Sequence, residues 1–464
     1  MPVAVKNLRS FLKDLQARHP EDVVSVRREI DPRREVSLLA WTLGQAGQFP
    51  VVMCHKVKGS EFPIVTNVHA DRRKAAVALG TTEDQVVHEY VRRLRSPLAP
   101  VEVGPKEAPV REVVLAGREV DLTRLPIVTH WEDGGPYITA GVGILRDAET
   151  RTLNAGCYRH MVHAPDMLGI WLNPMFHGGE CLRRAERQGR PVEVAIAIGA
   201  HPALGIASQN REAMGSDDYG LAGALLGQPL RVTRGEFVSF PVPADAEIVM
   251  EGIIPPGARR MEGPFAEYPS TYGPRREAPI VEVKAISHRR DAIYQDLNSA
   301  QQEHLALWIV PGREASLFAK VAAVFPTLKA VHIPFSGAGY HAYVAIEKVR
   351  DGDGKNVILS AMGADPLLKH VVAVDDDIDI FRESDVLWAI ATRVQADQSL
   401  FTIPGGRTSP LDPSSYGLTR PYSGEGLVTK MGIDATRPLG VPFPERLRPT
   451  PEERARIRLE EYLG

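Results

Sequence analysis

The sequence predicts an α/β chain in three parts: an N-terminal α/β domain over residues 1–110, a central barrel-like β domain over 111–295 and a C-terminal α/β domain over 296–440, with an arm and helix at 441–464. Three observations predict it. The chain has 464 residues, beyond the size at which single cores stop growing, so several domains are required. The apolar period shifts to two after about residue 110 and returns to a mixed pattern near 290. Pro-rich stretches punctuate the chain, Ser96 to Pro109 after the first part and Pro438 to Pro444 before the tail.

After Asn7, an expected N-cap, Leu8, Phe11, Leu12 and Leu15 fall at helical spacing, so an amphipathic helix opens the chain. Apolar runs at Val51-Val-Met-Cys and Phe62-Pro-Ile-Val-Thr read as strands, and Asp84 to Leu94 reads as a helix. Ser96 to Pro109 is then expected to be an exit linker. In the central part, Val281, Val283 and Ala285 alternate with Glu282 and Lys284, Asp147-Ala-Glu-Thr reads as a turn between strands, and Gly179 to Gln188 as an inserted helix. The third part offers a helix at Ala315 to Phe325 and a buried strand at Val371-Val-Ala-Val. Thr450-Pro-Glu-Glu453 is a capping box with Pro at the first helical position, so a helix closes the chain, and the stiff arm before it is expected to carry that helix onto another subunit.

Composition excludes several functions. Charged residues make up 24% and the net charge is -3, too balanced for long-range attraction to nucleic acid or an anionic membrane. Cys54, Cys157 and Cys181 lie far apart and form no disulfide framework or metal motif, which favours a reducing, cytoplasmic setting. No signal-type region and no run of ~18 apolar residues is present. A small-molecule partner is expected.

Glu262-Gly-Pro-Phe-Ala-Glu267 carries the strongest chemical signal, because Gly263 and Pro264 between two carboxylates replace an ordinary helix face with a shaped loop. Asn154-Ala-Gly-Cys-Tyr-Arg159 adds a guanidinium. Arg159 and Glu262 are expected to pair, leaving Glu267 as a separately tuned acid. Asn154, His177 and Asp218 offer an amide oxygen, an imidazole and a carboxylate, a set suited to a hard or borderline divalent ion. His177 and Asp218 also read as a loop histidine and a helix cap, and the residues alone leave both readings open. Asp351-Gly-Asp-Gly-Lys reads as a turn, because no Glu occupies the twelfth position of a calcium loop. Asp375, Asp376, Asp377 and Asp379 read as solvated charge at a strand end. Neither Gly-x-Gly-x-x-Gly nor Gly-x-Ser-x-Gly occurs in the required setting, which argues against dinucleotide binding and an α/β-hydrolase.

At these residues the chain resembles the UbiD family of reversible decarboxylases, which use prenylated FMN. The glutamate loop, Asn154 to Arg159, Asn173-Pro-Met-Phe-His177, Asp218-Tyr-Gly-Leu-Ala-Gly-Ala-Leu-Leu-Gly227, Glu247-Ile-Val-Met-Glu-Gly252, Val374-Asp-Asp-Asp-Ile-Asp379 and Lys430-Met-Gly-Ile-Asp-Ala-Thr436 occur in the family's order. The resemblance implies a split β-barrel flavin-binding domain at the centre. It assigns the catalytic arginine to Arg159, its glutamate to Glu262 and the proton donor to Glu267. It assigns manganese, with or without potassium, to Asn154, His177 and Asp218, the last departing from the family's usual Glu. Cofactor contacts fall on Thr139, Asn154, Ala155, Gly156, Cys157, Tyr158, Arg159, Phe176, His177 and Lys369, the last as the phosphate-binding lysine.

The resemblance further implies reversible non-oxidative decarboxylation of an aromatic, heteroaromatic or α,β-unsaturated acid through a covalent prenylated-FMN adduct, with CO2 as partner, a flavin prenyltransferase as cofactor supplier and a homodimer or higher oligomer. Expected pocket residues are Phe176, Glu303, His304, Leu307, Arg407, Ser409 and Leu411; several are polar, favouring a small furan or pyrrole carboxylate. Competing readings are a 4-hydroxybenzoate-type decarboxylase of quinone biosynthesis, a non-decarboxylating flavin-binding protein and a noncatalytic metal-dependent assembly protein. The triad Arg159, Glu262 and Glu267 disfavours the last two.

Overall fold

The structure is a computed structural model that describes residues 5–174, 176–211, 215–415, 426–444, 446–458 and 461–462. It is a mixed α/β fold. Asn7 caps the first helix, Leu8–Arg18, by accepting from the Ser10 N–H while Ser10 Oγ accepts from the Asn7 N–H, and the helix buries Leu8, Phe11 and Leu15 as its spacing predicts. Strands Val23–Val26, Val51–Cys54 and Ile64–Thr66 form the first sheet. Its fourth strand arrives from far along the chain: Tyr294–Gln295 runs parallel to Ile64–Thr66, tying the end of the central region to the N-terminal sheet.

The stretch Ser96 to Pro109 differs from a plain linker. Val101–Glu102 pairs with Arg231–Arg234 as the edge of a small sheet, and two short 3₁₀ turns follow at Pro105–Glu107 and Pro109–Arg111. Prolines in such a segment suit an edge, where a missing N–H costs no ladder bond.

The central sheet runs in the order Tyr137–Ile138, His160–Ala164, Met167–Gly169, Arg276–His288, Ile248–Ile254, Val192–Ile198, Val142–Arg146, Leu153–Cys157, with Val113–Ala116 and Arg259–Glu262 also paired to the long strand Arg276–His288. Val281, Val283 and Ala285 are buried, while Glu282 and Lys284 pair with each other at 2.7 Å, as the alternation predicts. The last strand in this order, Leu153–Cys157, is joined through only Tyr158 and Arg159 to His160–Ala164, next to the opposite end. Each residue spans at most about 3.6 Å. The two ends of the sheet are therefore drawn together, the sheet curls into a half-barrel, and Tyr158 and Arg159 sit at its opening.

Helix His177–Arg187 occupies the predicted insertion, and Asp218–Leu226 is buried at every residue, the pattern of an interior helix. That helix packs against Leu153–Cys157. Beyond it, helices Gln302–Ile309 and Gly312–Ala322 lead to a five-stranded sheet, ordered Leu328–His332, His341–Ile346, His370–Asp375, Leu427–Ala435, Leu400–Arg407.

Asp351-Gly-Asp is a turn, with Gly352 at φ +97° and Asp353 accepting from the Val349 and Arg350 N–H groups. The acidic run at the strand end is less solvated than expected: Arg393 forks between Asp375 (2.9 Å) and Asp377 (2.7 Å). The Thr450–Glu453 capping box forms and starts a helix of five residues, Pro451–Ala455. Arg446 and Arg448 of the arm bond Asp385 of the same chain, at 3.1 and 2.6 Å. Among the described residues no helix is long and apolar enough to cross a membrane.

Candidate active site

Arg159, at the half-barrel opening, has a side chain only 8% exposed and lies beside the glutamate loop. Its Nε and Nη2 bond the two oxygens of Glu262, at 2.6 and 3.0 Å, and its Nη1 bonds Glu267 Oε1. The expected pair is therefore extended to a trio: one guanidinium serves both carboxylates. The ring of Phe265 lies 4.9 Å and that of Trp171 5.7 Å from the guanidinium carbon, which walls the trio from water.

The loop holding the glutamates is a hairpin. Arg259–Glu262 pairs with the long strand, Phe265–Ala266 pairs with Tyr272–Gly273, and Gly263 between them stands at φ +97°, where a side chain is strained. Gly134 N–H donates to the Pro264 carbonyl at 2.8 Å and Ala266 N–H to Asp133 at 2.9 Å, pinning the hairpin to the segment before the barrel. Both glutamates are buried.

Glu267 and Arg159 line a cavity of about 460 Å³. Its wall also contains Thr139, Asn154, Ala155, Gly156, Cys157, Tyr158, Phe176, His177, His304, Leu307, Ser409 and Leu411, so nearly all the sequence-predicted residues converge there. Tyr158 lies where a Cβ on Gly156 or Gly178 would collide with it, and its hydroxyl donates to Asn154 Oδ1 at 3.0 Å. Asn154 and the start of the His177 helix thus meet around one phenol.

Asp218 sits behind this wall. Asp217 rather than Asp218 caps the helix, accepting from the Gly220 N–H, which frees Asp218 to accept from Ala155 N–H (2.8 Å), Asn154 Nδ2 (3.3 Å) and Asn210 Nδ2 (3.1 Å). Burial pushes its carboxyl up to about 6 against these hydrogen bonds. A buried carboxylate attended by neutral donors, beside an amide oxygen and near an imidazole, fits the neighbourhood of a divalent cation.

The structure separates three predicted residues from this cavity. Glu303, 1% exposed, turns to the N-terminal sheet and accepts from the N–H groups of Asn67 (3.0 Å), His69 (3.1 Å) and Asn298 (2.9 Å); one residue further along the helix, His304 faces the cavity instead. Lys369 Nζ is held by Asp412 (3.1 Å) and Ser414 (2.5 Å). Arg407 lines an adjoining cavity of about 560 Å³ with Phe176 and Arg211.

Other wall residues were missed. Trp308 lies one turn beyond His304, a spacing that signals a shared face. Tyr268 stacks on Trp308 at 4.4 Å and donates to Ser409 at 2.6 Å, joining the glutamate loop to the C-terminal region. Arg211 and Arg313 carry no local sequence signal. Burial pushes the Cys157 thiol up to about 12, which removes it as a nucleophile, and burial with the charge of Arg159 lowers His304 to about 4, leaving a neutral imidazole.

Comparison with known proteins identifies the family. Residues 15–94, 101–301 and 307–435 match in turn the N-terminal domain, the Rift-related domain and the C-terminal domain of 3-octaprenyl-4-hydroxybenzoate carboxy-lyase, UbiD. Anhydromevalonate phosphate decarboxylase of Methanothermobacter thermautotrophicus is 37% identical over 391 residues, covering 84% of this chain and 89% of that protein. Phenolic acid decarboxylase of Streptomyces sp. (strain D7) is 30% identical over 455 residues, covering 94% and 93%. The UbiD-class enzyme HmfF from Pelotomaculum thermopropionicum in complex with FMN has a TM-score of 0.91 at 39% identity, covering 98% of this chain and 100% of that one. An evolved dimeric form of HmfF in complex with prFMN has a TM-score of 0.88 at 38% identity, covering 99% and 100%. The chain belongs to the UbiD family and is a decarboxylase, a carboxy-lyase.

Proposed function

We propose that this decarboxylase releases CO2 from an aromatic, heteroaromatic or α,β-unsaturated carboxylic acid with prenylated FMN bound in the half-barrel. The observation that carries this reading is the buried Arg159–Glu262–Glu267 trio facing the cavity. Losing CO2 from an sp² carbon leaves electron density that side chains stabilise poorly, and the modified flavin supplies the electron sink. Everything else falls to the chain. Arg159 has five N–H donors, three of them committed to glutamates, so two remain to orient a substrate carboxylate. Both oxygens of Glu262 are taken by Arg159, which fixes Glu262 as the anion. Of the two glutamates, Glu267 is the one that lines the cavity, so it holds the proton of the trio and delivers it to the carbon that lost CO2. Phe265, Trp171 and Leu411 exclude water from that transfer.

Asn154, His177 and Asp218 would hold manganese, with or without potassium, against the flavin phosphate. The helix carrying Asp218 abuts Leu153–Cys157, which brings the shorter carboxylate to Asn154 without the longer reach of Glu. The layout in this reading is an N-terminal α/β domain, a central flavin-binding half-barrel, a C-terminal α/β domain and an arm that engages a second subunit. A flavin prenyltransferase supplies the cofactor in the cytoplasm.

The test is purification after co-expression with a flavin prenyltransferase. The bound cofactor is identified by mass and absorption, the metal by elemental analysis, and CO2 release is followed across a panel of such acids. Release from at least one acid class supports the reading, and a fully loaded protein inert towards the whole panel overturns it.

A further inference from the structure

Tyr158, next in sequence to Arg159, has its side chain wedged among three glycines. The ring folds back over its own strand and lies against Gly143 and Gly156, which face each other across neighbouring strands, and against Gly178, the residue after His177. A Cβ on any of the three would collide with the ring or its hydroxyl. The phenol thus fills a slot that two strands and the helix His177–Arg187 leave open only by lacking side chains there.

From that slot the hydroxyl donates to Asn154 Oδ1 at 3.0 Å, while Asn154 Nδ2 donates to Asp218 Oδ2 at 3.3 Å. Burial pushes the phenol well above its usual range, with Cys181, Asp218 and Cys157 adding to the effect, so the hydroxyl keeps its proton and serves as a donor. Both ends of the amide are therefore assigned: its nitrogen meets the carboxylate and its oxygen meets the O–H. Turning the amide over would set two acceptors against each other at Asp218. The oxygen has two lone pairs and the hydroxyl uses one, so the other is left for a hard or borderline cation. An amide nitrogen offers such a cation nothing.

We propose that Tyr158 is a positioning residue for the metal site: its hydroxyl, aimed by the three-glycine slot, holds the Asn154 amide so that oxygen rather than nitrogen is presented to the cation. Its effect is exerted through Asn154. This rests on the reading above in which Asn154, His177 and Asp218 hold the metal. Groups that orient a metal ligand in this way contribute about tenfold to a hundredfold to affinity. Without the hydroxyl the amide keeps Asp218 as its partner but loses the contact that fixes its oxygen.

The test is titration calorimetry with Mn2+ on FMN-loaded protein freed of metal by a chelator, at equal flavin content by absorbance. Tyr158→Phe keeps the ring in its slot and is expected to bind Mn2+ about tenfold more weakly or worse. Gly178→Ala, whose new methyl displaces the hydroxyl from the other side, should weaken binding in the same direction and guards against a folding defect peculiar to the first variant. The decisive comparison repeats Tyr158→Phe in an Asn154→Asp background. A carboxylate has oxygen at both ends and needs no orienting, so there the loss should shrink to a small fraction of its size beside Asn154. Unchanged or tighter Mn2+ binding by Tyr158→Phe overturns the proposal. An equal loss in both backgrounds also overturns it, since the phenol would then act by packing alone. If the unaltered protein takes up no Mn2+, the metal reading above falls and the proposal with it, whereas binding that ignores the hydroxyl leaves that reading intact and removes only the role of Tyr158.

Discussion

At the scale of single residues, Arg159 is the point on which the site turns, because its fork reaches Glu262 through two nitrogens and Glu267 through a third. A lysine ammonium cannot make that planar, three-way arrangement. Arg159→Lys is therefore expected to keep the fold and the flavin but to lower kcat/KM by about 10²-fold or more, since both carboxylates lose their positions. Steady-state kinetics beside a flavin absorbance spectrum checks this, and near-normal turnover contradicts it. These three residues were legible because Gly263 and Pro264 break any ordinary secondary structure around paired carboxylates. Arg313 was not legible: Trp308 lies five residues before it, but Asp365 reaches it only through the fold. Glu303 was misread because the N–H groups of Asn67, His69 and Asn298 that turn its carboxylate away from the cavity are brought to it only by the fold.

At the scale of elements, the glutamate hairpin is held by backbone geometry as much as by its charges. A Cβ on Gly263 would stand 3.3 Å from the Arg275 Cα at a φ of +97°. Gly263→Ala is expected to cost about 1–2 kcal/mol from the left-handed conformation alone. Displacement of Glu262 and Glu267 should lower kcat more than the modest fall in thermal midpoint suggests. Unchanged kcat in that variant would show that the hairpin does not position the acid. Period-two alternation made the long strand Arg276–His288 readable, and helical spacing did the same for Leu8–Arg18. The edge strand Val101–Glu102 was hidden because two residues between prolines carry no period. The curl of the central sheet was likewise beyond local pattern, since it depends on which strands pair across more than a hundred residues.

At the scale of the whole molecule, distant segments close around the cavity: Tyr294–Gln295 joins the N-terminal sheet, and Tyr268 links the central hairpin to Ser409. The same closure buries histidines as neutral rings. His201 accepts from the Ala203 N–H at 3.2 Å through Nδ1, capping Pro202–Ala207, and burial lowers it to about 3, with Lys6 and His69 adding to the effect. In the unfolded chain it titrates near 6.5. Unfolded protein therefore binds the proton first, so stability present above pH ~6.5 is lost as the pH falls towards 3, by up to about 1.4 kcal/mol per pH unit for one such group. The thermal midpoint should fall between pH 7 and pH 5. His201→Asn keeps a cap acceptor without a titrating ring and should fall less; an equal slope in calorimetry would remove His201 from this role.

The most direct test of the central claim compares CO2 release by the prenylated-FMN protein with that of Glu267→Gln, which keeps the shape of the side chain and gives up its proton. The account predicts that the variant binds flavin as the unaltered protein does, while its turnover falls by about 10²–10⁴-fold. Near-normal CO2 release by a fully loaded Glu267→Gln protein would contradict it.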